Sequence, residues 1–118
     1  MPKETFFNLP EEKRQNIYNI AIDEFSNKPY EKVSISQIVS RAKIAKGSFY
    51  QYFEDKEDLY TYLIDMIGKE KIKFMEKDFD KIEDMDFFEF MRLLYRNGVK
   101  FAAAEPNLTK IATGFMVN

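Results

Sequence analysis

From Pro10 onward the apolar positions recur with a helical period. Ile17, Ile20, Ala21 and Phe25 fall at i, i+3, i+4 and i+8, which predicts one buried stripe on a helix from Pro10 to about Asn27. Pro10 suits a first turn, where its missing N–H is lost anyway, and Glu11 and Glu12 suit the positive end of the dipole. Lys28-Pro29-Tyr30 ends this helix. Ser34 followed by Gln37 is a capping-box signature, opening a short second helix with a stripe of Ile35, Ile38, Val39 and Ala42. After the turn of Lys43 to Lys46, a third helix carries Ala45, Phe49 and Phe53 on one face at about 100° per residue. The short turn forces the second and third helices into a helix-turn-helix.

Asp55 can cap a fourth helix from Lys56 into the high seventies, with Leu59, Tyr60, Leu63, Ile64 and Ile67 and then Ile72, Met75, Phe79 and Ile82 as its apolar positions. Asp86 with Glu89 opens another helix to about Ala104. Its many apolar residues leave little polar face and predict burial on most sides. Glu105-Pro106-Asn107 turns the chain into an amphipathic helix bearing Leu108, Ile111, Ala112, Phe115 and Met116. No repeat or strand-like alternation competes, so the fold class is all-α.

Composition narrows the chemistry. At 118 residues with 45% hydrophobic and 32% charged content, the chain reads as an ordinary soluble domain. It has no cysteine and no histidine. The usual general base, transition-metal ligand and nucleophile arrangements are therefore missing, so neither an enzyme nor a cofactor is expected. The acidic run Asp78, Asp80, Glu83, Asp84 and Asp86 lacks metal-site spacing and falls near a helix end, where such runs keep a loop solvated. The N-terminal segment has no apolar signal region and no run is long enough for a membrane span, which predicts a cytoplasmic protein with no membrane partner. Net charge is -2, yet Lys28, Lys32, Arg41, Lys43 and Lys46 face only Glu31 between Lys28 and Tyr52. This is a local basic patch.

On the third helix Gly47, Ser48, Tyr50 and Gln51 point away from the Phe49–Phe53 face, beside Lys46, as a groove-facing surface would. The stretch A-K-I-A-K-G-S-F-Y-Q-Y-F-E-D-K-E-D-L, Ala42 to Leu59, strongly resembles the helix-turn-helix of tetracycline-repressor-like transcriptional regulators. The resemblance extends over about Pro10 to Leu63. It implies a DNA-binding domain over residues 1–55 and a regulatory, ligand-binding and dimerisation region over 56–118, expected to be C-terminally incomplete. The implied function is a ligand-responsive regulator, a repressor, that binds palindromic double-stranded operator DNA as a homodimer. Carried over by position, the DNA-facing residues are Ser34, Ser36, Gln37, Lys46, Gly47, Ser48, Tyr50, Gln51, Tyr52 and Lys56. Two positions depart from the pattern: Lys43 stands where glycine is frequent, and Ala45 where serine or threonine caps the recognition helix.

Beyond Leu63 the residues themselves suggest a pocket. Met66, Met75, Phe79, Phe87, Phe90, Met91, Leu94 and Tyr95 are adaptable or aromatic side chains in excess of what so small a body needs, and are expected to line a site for an apolar or amphipathic small-molecule effector. The alternative is a helical protein-interaction module without sequence-specific DNA binding. DNA binding separates the two.

Overall fold

The computed structural model describes residues 1–117 and is all-α. Its helices are α1 (Glu4–Phe7), α2 (Glu11–Asn27), α3 (Ile35–Ala42), α4 (Lys46–Tyr52), α5 (Lys56–Met75), α6 (Phe79–Ile82), α7 (Phe87–Ala104) and α8 (Pro106–Val117), with 3-10 turns at Tyr30–Lys32 and Glu76–Asp78. No helix of the described residues is long and apolar enough to cross a membrane.

Local chemistry accounts for the boundaries. Ser34 Oγ accepts from the Gln37 N–H at 3.0 Å, Asp55 Oδ1 from Asp58 at 2.8 Å and Asp86 Oδ1 from Glu89 at 2.8 Å, so three of the expected caps form. The Ser34 box is half-made: the exposed Gln37 side chain returns no bond to the Ser34 backbone among the described residues. Lys43 adopts the left-handed conformation, φ 59° and ψ 41°. The Lys43 N–H reaches the Ser40 carbonyl and the Ile44 N–H the Val39 carbonyl, the hydrogen-bond pair of a Schellman cap. Ala45 is an exposed N-cap with no side-chain bond and does not join Phe49 on the core face as helical arithmetic suggested. Helix α4 begins one residue later. Phe53 lies one residue past its end, in extended backbone, and is still fully buried.

The head core joins Phe6, Ile17, Ala21, Phe25, Ile38, Phe49 and Phe53 to Leu59 and Leu63 of α5. Residue 55 therefore separates two helices but not two cores. Helix α5 continues the core through Ile67 toward the body, and α8 folds back on α2 and α5 with Leu108 and Ile111 buried. Helix α1 was absent from the periodicity reading, being one turn long. It nevertheless supplies the fully buried Phe6, whose ring lies 4.8 Å from Phe53 and 5.4 Å from Tyr62.

Helix α7 differs from expectation. Only Leu93, Asn97 and Phe101, one stripe at i, i+4 and i+8, are buried. A second stripe of Phe87, Met91, Tyr95 and Val99 is exposed, because α5 and α8 both pack against the first and no described element covers the second.

Candidate nucleic-acid interface

Helices α3 and α4 present one exposed surface. Lys46 Nζ donates to Ser36 Oγ at 3.3 Å and ties the start of α4 to the start of α3. Gln37, Gly47, Tyr50 and Gln51 are exposed, Ser48 is half-buried, and Ser34 is committed to its cap. Behind this row Phe49 and Phe53 anchor α4, with the Tyr50 ring edge-on to Phe49 at 5.3 Å. Gly47 has negative φ and open space where a Cβ would stand, so nothing within the chain requires glycine there.

The C-terminal end of α4 is held by a contact that the sequence reading missed. The last carbonyls of a helix have no internal partner. Here the Tyr50 carbonyl accepts from Lys3 Nζ at 2.8 Å, the Gln51 carbonyl from the Thr5 hydroxyl, and the Tyr52 carbonyl from the Lys3 N–H at 2.8 Å. The apolar pair Phe6-Phe7 ahead of Pro10 is the only signal in the sequence for this anchor.

Two of the residues carried over by resemblance face inward. The Tyr52 side chain is half-buried and packs near Phe6. The Lys56 ammonium donates to the Tyr30 carbonyl at 2.7 Å and the Val33 carbonyl at 3.2 Å, and lies 4.2 Å from the Tyr30 ring centre. It joins the start of α5 to the loop before α3, which a count of charges along the chain does not reveal.

The basic patch is also smaller than its sequence count. Arg41 Nη1 lies 2.7 Å from carboxylate oxygens of both Asp23 and Glu24, and Lys28 Nζ lies 2.8 Å from Glu24. These bonds fix α3 against α2 and neutralise two of the five cations. Lys32, Lys43 and Lys46 remain without an ion pair among the described residues. Burial pushes the Glu24 carboxyl up, but the hydrogen bonds from Lys28 and Arg41 outweigh it and hold the group below its ordinary value. The folded value thus lies below the unfolded one. This junction is at full strength above the ordinary glutamate range and is lost as pH falls through the lowered value.

Among known proteins, residues 17–63 match the family described as "Bacterial regulatory proteins, tetR family". The matched stretch runs from within α2 through the helix-turn-helix into α5. The HTH-type transcriptional regulator HbdR of Aromatoleum sp. (strain CIB) is 43% identical over 51 residues, 43% of this chain and 22% of that protein. The uncharacterized HTH-type transcriptional regulator YdgC of Bacillus subtilis (strain 168) is 28% identical over 109 residues, 91% of this chain and 55% of that protein. A TetR family transcriptional regulator from Chloroflexus aurantiacus J-10-FL superposes with a TM-score of 0.77 at 44% identity, covering 94% of this chain and 51% of that one. The chain thus spans about half the length, or less, of these relatives. The family match and the all-α fold agree with the sequence reading.

Behind the head, the eight residues expected to line one pocket are not brought together. Met75 and Leu94 line a hollow of about 180 Å³ between α5, α7 and α8. Met66 borders a separate groove of about 840 Å³ between α2, α5 and the start of α8. In that groove the Tyr18 phenol is pushed up to about 12 by burial, with smaller contributions from Glu70, Tyr62 and Glu105, and so stays neutral. Phe79, Phe87, Met91 and Tyr95 are exposed, and Phe90 is half-buried outside these cavities. Periodicity identified apolar residues but could not tell which stripe of α7 faces its neighbours.

Proposed function

We propose that this chain is the DNA-binding and sensing part of a ligand-responsive transcriptional repressor that acts in the cytoplasm without catalysis. Helix α4 enters the major groove, Lys46 holds a phosphate, and Tyr50 and Gln51 approach base edges or the adjoining backbone. Gly47, at the start of α4, lets the DNA backbone approach closely. The observation that carries this reading is the exposed row Gly47, Tyr50 and Gln51 on a helix anchored from behind by Phe49 and Phe53 and at its end by Lys3 and Thr5. The transcriptional regulators to which the chain is similar support it.

The functional unit is a homodimer reading a palindrome. One head offers few free cations, and two heads multiply the phosphate contacts that dominate affinity. Half-sites one helical turn apart, about 34–36 Å, suit a two-fold pair of recognition helices. An effector bound in the body acts on the head through α5, which runs from one to the other, and α8, which packs on α2. Such coupling requires different effector affinity for the DNA-bound and free arrangements. Selection of bound sequences from a random duplex pool tests the reading: an enriched palindrome is the expected result, and a pool that stays random refutes it.

A further inference from the structure

Two cavities of the body share a wall. Asn97, only 4% exposed, borders both the 180 Å³ hollow and a cleft of about 370 Å³ between the Glu76–Asp78 turn, α6 and α7. The hollow is mainly apolar, with Phe74, Met75, Leu94 and Phe101 around it beside Lys71 and Thr109, and Gly98 leaves open space on α7. A cavity of about 150 Å³ suffices for a benzene-sized ring.

The cleft is of opposite character. Lys77, Lys81, Arg96 and Lys100 line it, with Asp78 as its one carboxylate. Asp78 lies 3.7 Å from Lys81 and accepts from Asn97 Nδ2 at 3.4 Å. Lys77, Arg96 and Lys100 have no carboxylate partner among the described residues. The neighbouring Asp80, Glu83, Asp84 and Asp86 are exposed and none lines the cleft. These four cations are exposed, and with one carboxylate among them, in a chain of net charge -2, they make the cleft locally positive and attractive to an anion. The Asn97 amide stands where the apolar and cationic halves meet.

We propose that hollow and cleft together are the effector site and that the effector is an amphipathic anion, with its ring or short alkyl body in the hollow and a carboxylate or phosphate among Lys77, Arg96 and Lys100. This rests on the effector reading above and names the ligand class. Asn97, already bonded to Asp78, offers a further polar contact to the head group at the point where the ligand leaves the hollow.

Calorimetric titration of the whole chain tests it, with 4-phenylbutyrate as the carboxylate probe, octyl phosphate as the phosphate probe and 4-phenylbutanol as the neutral control. At least one anion should bind, and its dissociation constant should rise about tenfold or more in the Arg96→Gln/Lys100→Gln double variant. The ratio of the two anions' affinities identifies the head group. Gly98→Leu, which fills the hollow and leaves Lys77, Arg96 and Lys100 in place, should abolish binding. Equal binding of the alcohol, anion binding that ignores the double variant, or no binding of either anion overturns the site. Operator affinity measured alongside separates the two proposals. Anion binding that follows the variants but leaves operator affinity unchanged supports the site and overturns only the effector reading. Operator release by neutral apolar compounds alone does the reverse.

Discussion

Phe6, Phe49 and Phe53 in the head are fully buried, whereas Phe87, Phe88 and Tyr95 in the body are 68%, 72% and 77% exposed. The two regions use the same kind of side chain, and what differs is how many stripes each helix carries. In the head, α2, α3 and α4 each present one apolar face, and the faces close on a common core with Leu59 and Leu63. In the body, α7 carries two stripes and has neighbours for one. Ring content alone therefore says little about burial. The number of faces set against the number of neighbours decides it.

The largest effect should come from breaking the head. Phe6→Ala removes a ring in contact with Phe53 and Tyr62, and should cost about 3–5 kcal/mol of unfolding free energy. Phe87→Ala, on the exposed stripe, should change it by less than about 0.5 kcal/mol. Denaturant midpoints of the two variants measure the contrast. Similar losses at both positions would mean that the α7 stripe is covered in solution.

Smaller changes should sharpen the comparison at the helix ends. In the body, α7 begins on a working Asp86 cap; in the head, α4 begins on Ala45 with none, after a lysine in the left-handed conformation. Ala45→Ser should add about 1 kcal/mol by supplying the missing acceptor. Lys43→Gly should add about 1 kcal/mol by relieving the left-handed penalty. Asp86→Ala should lose about as much as Ala45→Ser gains. Native-state hydrogen exchange of the α3, α4 and α7 amides reads all three, and a neutral or destabilising Ala45→Ser would show that the start of α4 is already satisfied.

Much of the fold was legible in the sequence because its signals are local. Ser34, Asp55 and Asp86 announced the starts of α3, α5 and α7, and Leu59, Leu63 and Ile67 gave the buried stripe of α5. What was hidden depends on distant partners. The Lys3 and Thr5 contacts span more than forty residues to the end of α4, and Lys56 reaches back to carbonyls before α3. Arg41 counted as a free cation until Asp23 and Glu24 were brought beside it. The body was the least legible for the same reason: Asn97 reads as one polar residue on an apolar helix until packing places it between a hollow and a basic cleft.

The claim that α4 and its Lys46 meet DNA while Lys56 serves the interior is tested most directly by the salt dependence of operator binding, measured by fluorescence anisotropy on wild type, Lys46→Ala and Lys56→Ala. Loss of one phosphate contact lowers the slope of log affinity against log salt by about 1. That decrease is expected for Lys46→Ala. Lys56→Ala should leave the slope unchanged and lower the melting temperature, from loss of the Tyr30 and Val33 bonds. An unchanged slope for Lys46→Ala together with a lowered one for Lys56→Ala would show that Lys56, not Lys46, meets the phosphates.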